Sequence, residues 1–381
     1  MLCIQNGMVH DAIHPQPRHA DILVESGKIV RIAAGLTPPD GCQVVNAAGR
    51  QVYPGFVEAH SHLGLDVSGA GAEGEDYSEF QDIFSPQLRS IDAIQPMDPA
   101  FREAALAGVT TVCTGPGSCN VLGGQFAAIK TVGRRVDDMV VRANVAMKCA
   151  FGENPKRRYK NINNSSRMST AAKLRDALFR ARDYQERIEA AGDDLLRRPP
   201  FDMKLESLLP VLRREIPLKA HAHQANDCFT ALRIAREFGV DITLEHVTEG
   251  HLVADLLAKE NVPLAVGPSL THASKIELRN KTFETPGILA KAGCQVSIIT
   301  DAPVIPQCYL PLCAALAVKS GMEPFAALQA ITINPARHIG VADRLGSLEA
   351  GKDADIVMMD GPCFAIDSTV EMVFINGQPV R

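Results

Sequence analysis

"PGFVEAHSHLGL", residues Pro54 to Leu65, decides how this chain is read. A mostly apolar run stops at two histidines, His60 and His62, one residue apart. Residues i and i+2 of a β-strand face the same way, so the two imidazoles point to one side. A buried imidazole without a partner costs free energy, and two side by side need something to accept their lone pairs. Neutral imidazole is the commonest metal ligand among protein side chains. The pair therefore asks for a cation, and for further donors from distant parts of the sequence.

The surrounding pattern says where those donors would come from. "FREAALAGVTTVCTG", "TALRIAREFGVDITLEHVT", "HLVADLLAKENVPLAVGPSL" and "TPGILAKAGCQVSIITDAP" each run helix, Gly or Asn, then a short apolar strand. That repeat predicts parallel strands with crossover helices. From about residue 55 to 344 its length fits a (β/α)8 TIM barrel, with an open doubly wound sheet as the competing fold, although no GxGxxG fingerprint supports a nucleotide site. Residues 154–200 interrupt the alternation with a basic run, an Asn/Ser loop and one long helix starting near Ser169, expected as an insertion on the barrel's rim. Residues 1–54 and 345–381 read as short strands and turns, neither long enough for a core. Because domain termini often lie close together, they are expected to form one composite β-sandwich domain.

In such a barrel the chemistry gathers where strands end. "VYPGFVEAHSH" ends at His60 and His62, "VVRANVAMKCAFGE" at Glu153, "IPLKAHAH" at His221 and His223, "DITLEHV" at His246 and "CQVSIITD" at Asp301. Any one of these has a structural reading, a hydrogen-bonded histidine or, for Asp301, a helix cap. Their convergence on strand ends points to a metal site of His60, His62, Glu153, His221, His246 and Asp301. Imidazole with carboxylate suits Zn2+, one ion or two, and also iron, manganese or nickel. His223, in phase with His221, and His272, after a strand end in "GPSLTHASKIE", are candidates to face substrate. His338 is expected to pack in a helix, and His251 to be structural. Arg157, Arg158 and Tyr159 lie in the basic run after Glu153, where a loop leaving a strand end can overhang the site. Arginine there favours an anionic substrate.

Composition narrows the class. A net charge of −5 with mixed signs does not favour nucleic acid or an anionic membrane. Ten scattered cysteines without a CxxC pair suit reduced thiols, no signal peptide opens the chain, and no apolar run is long enough to span a bilayer. The cytoplasm is the expected location, a small molecule the expected partner, and a homo-oligomer the expected assembly by analogy with other large barrels.

Together "PGFVEAHSH", "KAHAH" at Lys219–His223, "LEH" at Leu244–His246, "TDAP" at Thr300–Pro303, "TINPAR" at Thr332–Arg337 and "GSLEAGKDADIV" at Gly346–Val357 resemble the amidohydrolase superfamily, in order and over nearly the whole chain. "GGQFAAIK" and "FGENPKRRY" are similar to its imidazolonepropionase-related members. The resemblance implies a metal-bearing (β/α)8 barrel with a small β domain from both termini. It implies that His60 and His62 bind the first metal, that His221 and His246 are the middle-strand histidines, and that Asp301 is the metal-linked aspartate that handles protons. Many two-metal relatives bridge their ions with a carboxylated lysine. Lys148 and Lys219 lie inside strands, and Lys173 and Lys204 look helical; other relatives use a glutamate, for which Glu153 is the best candidate, either bridging two ions or binding one. The expected reaction is hydrolysis of a C–N bond in a small cyclic or acyl amide. Asp301 takes the proton from the attacking water and passes it to the leaving nitrogen, while His246, His223 or His272 faces the oxyanion. A deaminase of an aminated ring, a dipeptidase and a non-catalytic barrel scaffold are the alternatives.

Overall fold

In a computed structural model, which describes residues 1–380, Phe56–Ser61 (β1) is buried at every position. It opens a sheet of eight strands continued by Val109–Thr114 (β2), Leu122–Lys130 (β3), Val140–Ala150 (β4), Leu218–Ala222 (β5), Ile242–His246 (β6), Leu264–Val266 (β7) and Val296–Ile298 (β8). The two ends of the sheet meet. Ala302, just past β8, accepts the N–H of His62 at 2.7 Å, and the side chain of Glu58 on β1 accepts the N–H of Thr300 at 2.9 Å. The result is the TIM-barrel architecture expected, with helices outside.

One strand departs from the all-parallel pattern. β3 runs antiparallel to both β2 and β4. "VLGGQ" reads as part of a flexible loop, yet Leu122, Gly123, Gly124 and Gln125 lie in β3. The short return from β2 to β3 leaves no room for a crossover helix, so the chain turns back as a hairpin does.

The helices begin and end where local chemistry dictates. Pro99–Leu106 is capped by the Asp98 carboxylate, which accepts the N–H of Ala100, with Pro99 at the first helical position. Ala225–Phe238 stops at Gly239, whose φ of +68° is the left-handed cap that glycine accepts without strain. The long helix spans Arg167–Ala191, starting just before Ser169 because Ser166 and Ser169 form a reciprocal capping box. Its Leu174, Leu178 and Ala181 are buried in the same core as Met147 and Cys149 of β4 and Leu218 and Ala220 of β5.

The second sheet draws strands from both chain ends. Val370–Ile375 and Ile356–Met359 join Gln51–Pro54, Leu2–Val9, Arg18–Glu25 and Lys28–Ala33, around a core that includes Ile4, Ile22, Val52, Ile356 and Phe374. The chain passes from this sheet into β1 at Gly55. Lys130, at the end of β3, ties the two sheets together through buried ion pairs to Asp355 at 2.7 Å and Asp353 at 3.3 Å. Among the described residues no helix is long and apolar enough to cross a membrane.

Candidate metal centre

The strand ends bring two groups of donors together. His60, His62 and Asp301 form one, and His221, His223 and His246 the other, with the donor atoms of each group within 4.8 Å of one another. In the first, Asp301 Oδ1 lies 3.6 Å from His60 Nε2 and 3.4 Å from His62 Nε2. Ligands about 2.0–2.1 Å from a tetrahedral zinc ion sit about 3.3–3.4 Å apart, so this is the spacing a small divalent cation needs.

Backbone strain aims two of these side chains. Successive residues of a strand face opposite ways, and Glu245 already points into the barrel. His246 reaches the same side because its φ is +77°, and Asp301 likewise stands at φ +55°. Non-glycine residues in that region cost ~1–3 kcal/mol and concentrate at functional sites. The chain also spends a glycine on His246. The Gly267 carbonyl accepts His246 Nδ1–H at 2.9 Å, and a Cβ at Gly267, whose φ is +145°, would sit 2.3 Å from the Ile299 carbonyl oxygen.

The far nitrogens of the rings are held so that Nε2 faces the centre. His60 Nδ1–H donates to Glu245 at 3.1 Å, His62 Nδ1–H donates to the Gly115 carbonyl at 2.6 Å, and His223 Nδ1 is 2.7 Å from Thr248 Oγ1. Such outer hydrogen bonds fix the tautomer of metal-ligating histidines. Burial pushes His60, His221 and His223 well below the usual histidine range and His246 down to about 4, so the rings are neutral with free lone pairs. Burial alone would raise the Asp301 carboxyl, but His246, His62 and His60 outweigh it and keep it ionised. Both ring nitrogens of His221 and Asp301 Oδ1 are buried without a hydrogen-bond partner, while Glu277 Oε1 is ion-paired to Lys275 Nζ at 2.6 Å. Buried polar atoms are rarely left so, and neutral imidazoles facing carboxylates are the donor set of a zinc-like ion.

Beneath the donors the barrel interior is polar. Glu245 accepts Lys219 Nζ at 2.9 Å, His338 Nε2–H at 2.9 Å and the Thr243 hydroxyl at 2.6 Å while holding His60. Burial would raise its carboxyl, but Lys219 and His338 hold it well below the usual range. His338, expected only to pack, is thus part of the support for His60. Glu58 on β1 is fully buried, and desolvation lifts its carboxyl to about 7.

Several expected residues lie elsewhere. β4 ends at Ala150, so Glu153 is three residues beyond it, at the start of the helix Glu153–Arg158, and belongs to neither donor group. Arg157 and Arg158 are exposed, and the Arg158 guanidinium lies 4.1 Å from the Phe80 ring centroid. Tyr159 is buried with its hydroxyl donating to the Glu79 carbonyl at 3.1 Å. None of the three lines the cavity over the donors. That cavity, about 460 Å³, is bounded by His62, His221, His223, Asp301, Tyr77 and His272, and its one lysine is Lys275.

Glu277 escaped the sequence reading, and Lys148 was set aside in it as lying inside a strand. Lys148 Nζ reaches 3.2 Å from His60 Nε2 although its backbone lies inside β4. It pairs in register with Lys219, two residues below His221, and a depth of about 6–7 Å is what a four-carbon stem spans. Desolvation lowers its amine to about 8. Glu277 sits in the loop after β7, where no strand end marks it, 3.7 Å from His221 Nε2 and 3.6 Å from His223 Nε2.

Comparison with known proteins agrees with this geometry. The model for the Amidohydrolase family matches residues 51–380. The chain is 29% identical over 389 residues to the amidohydrolase tasK of Hapsidospora irregularis, covering 94% of this chain but only 39% of that longer protein. It is 29% identical to the imidazolonepropionase of Symbiobacterium thermophilum, covering 86% of this chain and 78% of that one. The crystal structure of an amidohydrolase from Thermotoga maritima MSB8 superposes with a TM-score of 0.96 over the full length of both chains, at 38% identity.

Proposed function

Since the chain belongs to the amidohydrolase family and is therefore a hydrolase of carbon–nitrogen bonds, we propose that it cleaves a small cyclic or acyl amide with Asp301 as the proton-transferring residue. His60, His62 and Asp301 are the residues that would hold one divalent cation, and His221, His223 and His246 a second, with zinc the best match to these donors. A cation held there supplies Lewis acidity and lowers the pKa of water from 15.7 to about 7. The observation that carries the reading is the meeting of His60, His62 and Asp301, from opposite ends of the barrel sequence, with His62 and Asp301 lining one cavity and His60 buried beside them.

The chain's own residues do the rest. Asp301, ionised and open to the cavity, takes a proton from the attacking water at the carboxylate and returns it to the leaving nitrogen. Glu245 and Gly115 fix the rings of His60 and His62, so little reorganisation is needed at the moment of reaction. His272, at the cavity wall, is the candidate donor to the developing oxyanion. Lys148 is the lysine in reach of the first group, taking the place that Glu153 does not reach. Lys275, rather than Arg157 or Arg158, is the cation available to an anionic end of the substrate.

The test is a panel of cyclic amides, acylated amino acids, dipeptides and aminated rings, assayed with wild type and Asp301→Asn. Turnover of an amide, lost in Asp301→Asn, supports the reading. Ammonia released from an aminated ring with no amide turned over would favour deamination instead. Turnover unaffected by Asp301→Asn excludes the role given to this carboxylate.

A further inference from the structure

We infer that the substrate site continues past His272 into a second chamber, where Lys281 takes an anionic group at the end of an apolar arm. The inference rests on the amide-cleaving reading above and adds to it a class of substrate, amides that carry such an arm.

The cavity over the donors, about 460 Å³, and a neighbouring one of about 610 Å³ share Thr271 and His272 in their walls. The second lies along the loop after β7 and is lined further by Leu270, Thr282, Phe283 and Lys281. His272 is the candidate donor to the developing oxyanion. A substrate whose reacting carbonyl meets it has one end over the donors and the other free to run on into the second chamber.

The lysines of the two cavities differ in charge balance. Lys275, in the first, is held by the Glu277 carboxylate at 2.6 Å. Lys281 Nζ donates only to Thr271, to its hydroxyl at 2.8 Å and to its carbonyl. Among the described residues no carboxylate comes within ion-pairing distance of it. Burial lowers its amine from the usual lysine range, and no neighbouring charge offsets that cost. A partly buried ammonium without a counter-charge favours an anionic ligand. Thr271 takes two of its protons, and the third is left for that ligand.

The chamber suits an arm as well as a charge. Leu270 and Phe283 give it apolar wall, and Leu270 is 37% exposed, so an apolar arm laid there removes its surface from water. Lys281 also pins Thr271, the residue before His272, so the same ammonium fixes the partition between the two chambers. Lys275 serves a charge close to the reacting bond, and Lys281 serves one beyond His272.

The experiment measures binding to the zinc-loaded protein by calorimetry, with thermal unfolding as a check on folding. The probes are levulinate and longer straight-chain methyl-ketone carboxylates, which present a carbonyl without a scissile bond, and uncharged counterparts that end in a hydroxyl. The longer carboxylates should bind ~10-fold or more tightly than their hydroxyl counterparts, the discrimination of a charged hydrogen bond. Lys281→Met should abolish that preference for the long probes and not for levulinate, and Lys281→Arg should restore it. Phe283→Ala should weaken long acid and long alcohol alike, because it touches the arm. Equal affinity of the long acids and alcohols for wild type overturns the inference. So does a Lys281→Met variant that weakens levulinate as much as the longer acids, which would make the lysine only a pin of the loop. If Lys281→Met does not fold, wild-type crystals soaked with a long acid decide. A carboxylate oxygen within about 2.7–3.2 Å of Lys281 Nζ supports the inference, and a carboxylate bound elsewhere excludes it. A wild type that cleaves no amide yet keeps the long-acid preference overturns the amide-cleaving reading and leaves the chamber standing, and amide turnover without the preference does the reverse.

Discussion

The two donor groups face each other across one barrel mouth but are built differently. His60, His62 and Asp301 are fixed from below and behind. Glu245, tied to Lys219 and His338, holds His60, and the Gly115 carbonyl holds His62. His221 has no hydrogen bond to either ring nitrogen, and the carboxylate facing it and His223 comes from a loop. Both groups open on the cavity, but the carboxylate that faces the second comes from the short 3-10 helix Ile276–Leu278 after β7 rather than from a strand end. The proposed reading gives the chemistry to the first group and the shaping of the pocket wall to the second.

The sharpest way to break that division is Asp301→Asn. The amide cannot take a proton from water at neutral pH, so kcat should fall ~10²–10⁴-fold with the second ion still bound, checked by steady-state kinetics and metal analysis on the same sample. Next comes the support of the first group. Glu245→Gln removes the charge and one of the two oxygens shared by His60 Nδ1–H, Lys219, His338 and Thr243, and leaves the buried Lys219 ammonium without its counter-charge, so zinc affinity at the first group should fall ~10–100-fold. The same variant should lose ~3–5 kcal/mol of stability in a denaturant melt, the usual cost of breaking a buried pair. An unchanged affinity would show that the ring is held by packing alone. Lys275→Met should raise KM ~10-fold for anionic substrates, with neutral ones little affected, given the ~1.5–3 kcal/mol of a charged hydrogen bond. The smallest effect is expected at Arg157→Ala and Arg158→Ala, within about 2-fold in kcat/KM, because both side chains are exposed away from the cavity.

These residues also show what a sequence can and cannot announce. Strand-end histidines and Asp301 are legible because the strand period, the apolar run before them and the position of chemistry in a barrel all agree. The helix–strand alternation made the barrel legible for the same reason. β3 was missed because "VLGGQ" has turn composition, and only its pairing to β2 and β4 makes it a strand. Lys148 was set aside because a ligand was sought at the strand's last residue, whereas a long side chain acts one layer above its backbone. Glu277 lies in "KIELRN", where nothing local separates a site carboxylate from a solvated one. Its place depends on the contact with Gly152 and Glu153, more than a hundred residues away in sequence. Arg157 and Arg158 failed in the opposite sense, since proximity to Glu153 in sequence did not carry their side chains to the cavity.

The central claim is that side chains remote in sequence gather around a common cation. Diffraction from zinc-soaked crystals at the zinc absorption edge tests it most directly. The account predicts an anomalous peak within about 2.0–2.2 Å of His60 Nε2, His62 Nε2 and an Asp301 oxygen. A map with no peak there, or with the three side chains turned away from the ion, would contradict it.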